Sequence, residues 1–148
     1  MILFQFYPGA AKHRSMNKVS ERIRVLIVDD IPQVRQELAT MLKLASKNTS
    51  PQIEIVGDAQ NGEEAIHQSQ QLCPDVILMD LEMPILNGFE ATRLIKSTQQ
   101  SIRVIILSIH AGPEEQKLAQ AAGADAFVIK GSSHDALMNA ILSRYPPG

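Results

Sequence analysis

Acids, a hydroxyl and an ammonium stand at the ends of apolar runs in this chain. Val76-Ile77-Leu78-Met79 closes on Asp80, and Val25-Leu26-Ile27-Val28 closes on Asp29 and Asp30. Val104-Ile105-Ile106-Leu107 closes on Ser108, and Phe127-Val128-Ile129 closes on Lys130. Carboxylates gathered at one place repel: two like charges about 4 Å apart oppose each other by roughly 4 kcal/mol at an effective dielectric of 20. Such a group needs a cation or a proton. An all-oxygen donor set with few protein ligands and room for water suits Mg²⁺, and Lys130 adds a compact positive charge. A carboxylate nucleophile is already ionised at pH 7. Mg²⁺, Lys130 and Ser108 would neutralise charge that spreads over equatorial oxygens. Together these residues are what phosphoryl transfer to aspartate requires.

Apolar runs of this kind read as buried parallel strands, and the pattern between them supplies the helices. Strands are expected at 23–28, 53–59, 76–79, 102–107 and 126–129. The alternation Ile53, Ile55, Gly57 marks the second as a half-exposed edge. Pro32 fits a first helical turn, and Val34, Leu38, Met41, Leu42 and Ala45 recur on one helical face. A second helix spans 63–72. A third has Phe89, Thr92 and Ile95 inward, a fourth runs from Pro113 to a C-terminal stop at Gly123, and a fifth follows a Ser132-Ser133 N-cap. The pattern is (βα)₅: an α/β, doubly wound five-stranded parallel sheet with helices on both faces. In such sheets ligands bind outside the carboxyl ends of the strands, where Asp29, Asp30, Asp80, Ser108 and Lys130 stand.

The 148 residues are one domain's worth. A net charge of -2 implies no strong pull toward nucleic acid or membrane. No run approaches the roughly 18 apolar residues of a membrane span. The single cysteine, Cys73, excludes an internal disulfide and fits a reducing compartment such as the cytoplasm. It reads as a small buried hydrophobe. Residues 1–20 do not fit a secretory signal, because their basic residues follow the apolar stretch, and they read as a poorly ordered extension before the patterned domain. Residues 21–144 form the patterned domain and 145–148 a linker start or frayed tail. His13, His67 and His134 have no metal-ligand spacing.

With these residues in place, 23–144 resembles the receiver domain of two-component response regulators. The resemblance rests on Asp29-Asp30, Asp80, the Met83-Pro84 pair with Gly88 four residues on, Ser108 and Lys130, in order and at the right strand ends. Leu107-Ser108-Ile109-His110 and Lys130-Gly131-Ser132-Ser133 look like the NarL/FixJ subfamily, whose output is a DNA-binding helix-turn-helix. Many other receivers have a proline where Gly131 follows the lysine.

The resemblance implies a flavodoxin-like receiver fold and roles for single residues. Asp80 would accept a phosphoryl group from a sensor histidine kinase or a small phospho-donor. Asp30 and Asp80 would bind Mg²⁺ directly, Asp29 through water, and the Glu82 backbone carbonyl would complete the protein ligands. Lys130 would hold a phosphoryl oxygen. Ser108 and Phe127 would be the switch, reshaping the surface of the fourth helix, fifth strand and fifth helix to control a homodimer or an output domain. DNA would be reached only through an output domain absent from this chain, and no membrane partner is implied. The chemistry would be self-phosphorylation and autodephosphorylation, so no ordinary enzyme is expected.

Other readings compete. An aspartyl-nucleophile phosphohydrolase would use Glu82 as general acid, but would want a cap domain to enclose its substrate. A flavin mononucleotide binder would need a phosphate cradle after the first strand, where Asp29-Asp30 would repel phosphate. A non-phosphorylated receiver scaffold would not need the acidic set. Glu82 and His110 lie two residues past Asp80 and Ser108, respectively, and both are expected to overhang the site.

Overall fold

The computed structural model describes residues 4–6, 22–110 and 112–143. Its strands are β1 (Phe4–Phe6), β2 (Arg22–Val28), β3 (Gln52–Ala59), β4 (Val76–Asp80), β5 (Arg103–Ser108) and β6 (Ala126–Ile129). Its α-helices are α1 (Pro32–Ala45), α2 (Gly62–Leu72), α3 (Gly88–Thr98), α4 (Pro113–Ala122) and α5 (His134–Leu142). They form one sheet in the order β1-β6-β5-β4-β2-β3. The pairs among β2 to β6 are all parallel, as strands separated by helices must be. β3 lies at the edge, as its alternation predicts.

Side chains alternate across the sheet and build a core on each face. Leu26, Val28, Ile77, Met79, Val104, Ile106 and Phe127 pack with Ala65 of α2, Ala91 and Ile95 of α3, and Ala119 of α4. Val25, Ile27, Val76, Leu78, Ile105, Leu107 and Val128 pack with Leu42 of α1 and Leu137, Ala140 and Ile141 of α5. β4 and β5 are buried along their whole length, so Asp80 and Ser108 are delivered by fully enclosed strands. Burying each aliphatic side chain contributes about 1.5–3 kcal/mol, and that packing fixes the strand ends that carry the polar groups.

Local signals in the sequence set the helix ends. Pro32 and Pro113 open α1 and α4. The Ser133 side chain accepts from Ala136 N–H at the start of α5. Gly123 ends α4 with φ 96°, a left-handed conformation that glycine adopts without steric cost.

Two expectations are corrected. Phe4–Phe6, inside the stretch read as a poorly ordered extension, pairs antiparallel with Ala126–Val128 and adds a sixth strand. The outer edge of a parallel sheet offers unpaired backbone groups, and Phe-Gln-Phe carries β-forming residues to meet them. The rest of 1–20, and the tail 145–148, lie outside the described residues. Cys73 is exposed rather than buried. It ends α2 in a left-handed conformation with φ 46°, because the helix must stop before Pro74 to feed β4.

Gly88 starts α3 directly beneath the β4 carboxyl end. A Cβ at this position would lie 2.2 Å from the Asp80 carbonyl oxygen and 2.9 Å from Leu81 Cα, both backbone atoms that cannot swing away. Gly88→Ala is therefore expected to destabilise the fold by roughly 1–3 kcal/mol. Urea unfolding of both proteins measures this; an unchanged midpoint would show that α3 is not held this close to Asp80.

Candidate functional site

Four strand ends converge. Asp29 follows β2, Asp80 ends β4, Ser108 ends β5, and Lys130 follows β6. Ligand oxygens of Asp29, Asp30 and Asp80 all lie within 4.8 Å of one another. Lys130 Nζ lies 2.8 Å from Asp29 Oδ2 and 2.9 Å from Asp80 Oδ1, so one ammonium bridges two buried carboxylates.

Asp29 is held at every polar atom. Its N–H donates to Ala59 O at 3.0 Å. Its Oδ1 accepts from Ile31 N–H at 2.9 Å, and its Oδ2 from Lys130. Its carbonyl oxygen accepts from Arg35 Nη1 at 2.6 Å. The Asp29 side chain thus braces the loop before α1, whose N-cap is Ile31 with no side-chain bond. Asp30 is exposed. Asp80 accepts from Lys130 through one oxygen, which leaves lone pairs for a further partner. Asp30 and Asp80 could therefore each offer an oxygen to a cation, and Asp29, bonded through both carboxylate oxygens, is the most committed of the three.

Three carboxylates face one ammonium here, and the charge imbalance appears in the acid–base behaviour. Burial pushes the Asp80 carboxyl above its ordinary range; the Lys130 hydrogen bond opposes this, while Asp29 and Asp30 add to it. Burial by itself would lower the Lys130 pKa, but hydrogen bonds to Asp29 and Asp80 outweigh it and hold the ammonium above its usual value. Lys130 is thus a fixed positive charge at neutral pH. A hard divalent cation would relieve the remaining repulsion, and the donor set of carboxylate oxygens open to solvent on the Asp30 side fits Mg²⁺.

The mouth is a cavity of about 410 Å³ lined by Asp30, Glu82, Met83, Phe89, Ser108 and His110. Glu82 Oε1 and His110 Nε2 meet across it at 3.2 Å, both side chains exposed. The Ser108 hydroxyl is buried and accepts from His110 N–H at 3.0 Å. Ser108 O accepts from Lys130 N–H at 2.8 Å, tying β5 to the lysine. Phe127 belongs to the core on the α2–α3–α4 face, on the strand that leads into Lys130. Asp29, Asp30, Asp80 and Lys130 thus meet, Ser108 and Glu82 line the adjoining mouth, and Phe127 lies in the packed interior.

Arg35 escaped the reading of the sequence. It sits on the first turns of α1, donates to Asp29 O, and pairs through Nε with Asp58 Oδ2 at 2.9 Å. Its only sequence signal is an arginine one turn and a half after the acidic pair, and nothing in that spacing names the carbonyl it meets.

The response regulator receiver domain family matches residues 25–142. The transcriptional regulatory protein LnrK of Bacillus subtilis is 32% identical over 126 residues, covering 85% of this chain and 55% of LnrK. The nitrate/nitrite response regulator protein NarL of Escherichia coli is 32% identical over 121 residues, covering 82% of this chain and 54% of NarL. The chain spans about half the length of these curated relatives. Among solved structures, the signal receiver domain of a NarL response regulator from Mycobacterium tuberculosis superposes with a TM-score of 0.75 at 30% identity, covering 84% of this chain and 96% of that one.

Because the folded pKa of Asp80 lies above its unfolded value of 3.8, its contribution favours the fold fully below that value. It is lost as pH rises through the folded pKa. Without metal, holding the ionised carboxylate in this pocket is a cost, so Asp80→Asn is expected to raise the metal-free thermal midpoint. A calorimetric scan at pH 7 showing a lower midpoint would contradict this.

Proposed function

The chain belongs to the response regulator receiver domain family, and we propose that it works as a phospho-accepting switch of a two-component phosphorelay. Phosphoryl transfer to Asp80 would come from a histidine kinase or a small phospho-donor and depend on Mg²⁺. The observation that carries this reading is Lys130 bridging Asp29 and Asp80 at the carboxyl edge of the sheet, with Asp30 beside them. An Asp80 carboxylate oxygen forms a bond to phosphorus as the bond from phosphorus to the donor's nitrogen or oxygen breaks, and the donor leaves with the electron pair and takes up a proton. Asp30, Asp80 and the Glu82 backbone carbonyl would hold Mg²⁺, with Asp29 acting through water. Bound there, the ion supplies positive charge against the developing phosphoryl oxygens. Lys130 contributes its ammonium to the same oxygens once it releases Asp80.

Ser108 is the hydroxyl placed to follow the new group, at the expense of its bond from His110 N–H. Lys130 N–H is bonded to Ser108 O, and β6 carries Phe127, so movement at the site is passed to β6 and to its neighbours α4 and α5. That surface would control a homodimer or an output domain, and DNA would be contacted through a segment beyond this chain. The similarity to LnrK, a transcriptional regulatory protein, supports this. No separate metabolite is turned over. The site would act in the cytoplasm; among the described residues no helix is long and apolar enough to cross a membrane.

Intact mass after incubation with acetyl phosphate tests this directly. One phosphoryl group is expected, dependent on Mg²⁺, labile to hydroxylamine and absent in Asp80→Asn. No gain in the folded native protein would overturn the reading. The Glu82–His110 pair stands across the mouth, where water must enter to hydrolyse the acyl phosphate. Glu82→Ala and His110→Ala are each expected to shorten the phosphoryl lifetime several-fold. Unchanged lifetimes in both would remove any gating role for the pair.

A further inference from the structure

We propose that Arg35 is a positioning residue that sets the affinity of the acidic pocket for its divalent cation by fixing the peptide between Asp29 and Asp30. The inference rests on the receiver reading of the pocket and adds a residue to it. A peptide unit is planar, so orienting its carbonyl orients the following N–H and Cα. Arg35 Nη1 donates to Asp29 O at 2.6 Å. The same plane carries the N–H of Asp30, the exposed acid that is free to take a cation directly. Asp29 is already fixed through its N–H, Oδ1 and Oδ2. The Arg35 contact holds the peptide on one side of Asp30, and the Ile31 N–H bond to Asp29 Oδ1 holds the residue on its other side.

The arginine is itself held. Its Nε pairs with Asp58 Oδ2 at 2.9 Å, and its backbone N–H bonds to Ile31 O at 3.2 Å in the first turn of α1. The guanidinium is mostly enclosed, whereas Asp58 is exposed at the end of β3. A planar guanidinium forks onto two acceptors at once; a lysine ammonium on its flexible stem does not hold both in a fixed geometry. Two effects of this positive charge oppose each other at a cation site. Direct repulsion would weaken cation binding, and preorganisation of Asp30 would strengthen it. Asp58 pairs with the guanidinium and offsets part of its repulsion, and preorganisation is expected to outweigh the rest. Outer groups of this kind typically contribute 10–100-fold to metal affinity. The sign of the effect separates the two.

The test is Mg²⁺ titration of the full chain, followed by amide chemical shifts of residues 29–31 and 130, for the native protein, Arg35→Gln and Arg35→Lys. Arg35→Gln is expected to raise the dissociation constant roughly tenfold, with Arg35→Lys in between. In phosphorylation by acetyl phosphate the half-saturating Mg²⁺ concentration should move by the same factor, while the rate at saturating Mg²⁺ stays within about twofold. A lowered thermal midpoint with unchanged Mg²⁺ affinity would overturn the proposal and leave Arg35 a plain brace between α1 and β3. Tighter binding in Arg35→Gln would overturn it in favour of repulsion. Should the glutamine variant not fold, unaltered affinity in Arg35→Lys would overturn it equally. If the native chain binds Mg²⁺ without becoming phosphorylated, the switch reading fails and the Arg35 titration still gives its answer.

Discussion

Three carboxylates cannot sit together at the end of a buried sheet without a positive charge between them, and Lys130 is that charge. Its ammonium reaches Asp29 and Asp80 at hydrogen-bond distance while both carboxylates are buried. Pairing of this kind offsets desolvation only in part, and the raised pKa of Asp80 records the shortfall. The fold tolerates it because two apolar layers, one on each face of the sheet, hold the strand ends in place. The pocket thus concentrates negative charge that a bound cation would relieve. The same imbalance that costs stability without metal is what makes the site receptive.

Connection from the pocket to the rest of the molecule runs through backbone bonds rather than through space. Lys130 is both the bridging ammonium and the residue that follows β6, and its N–H is tied to Ser108 O at the end of β5. Ser108 in turn holds His110 N–H, and His110 faces Glu82 across the mouth. A change in where the lysine points would bear on both the β5–α4 loop and β6, which that bond ties together. β6 is also where Phe4–Phe6 adds its antiparallel strand, so the N-terminal segment pairs with the strand that leads into Lys130.

The acidic set and its lysine were legible because burial and polarity change abruptly at parallel strand ends. A run such as Val76 to Met79 followed by Asp80 announces both the strand and the edge where it stops. The alternation of strands and helices then leaves few topologies, and the five parallel strands follow. Other features depend on contacts between distant segments, to which a one-dimensional pattern is blind. Arg35 meets Asp29 O and Asp58 only once α1 and β3 are docked. The Glu82–His110 contact needs the β4–α3 and β5–α4 loops placed face to face. The Phe4–Phe6 strand was misread because its partner is the last strand of the sheet, over a hundred residues away. Cys73 was misread because its apolar character suggested burial, whereas the stop before Pro74 pushes it outward.

The most direct test of the account is a crystal structure of the full chain grown with Mg²⁺ and beryllofluoride, a stable mimic of a phosphoryl group on a carboxylate. The beryllofluoride adduct is expected on Asp80, with the metal between Asp30 and Asp80 and the Lys130 ammonium moved from Asp80 onto a fluorine while the Ser108 hydroxyl gives up His110 N–H. An adduct on another residue, or an Asp80 adduct with Lys130 still bridging the two carboxylates and the metal elsewhere, would contradict it.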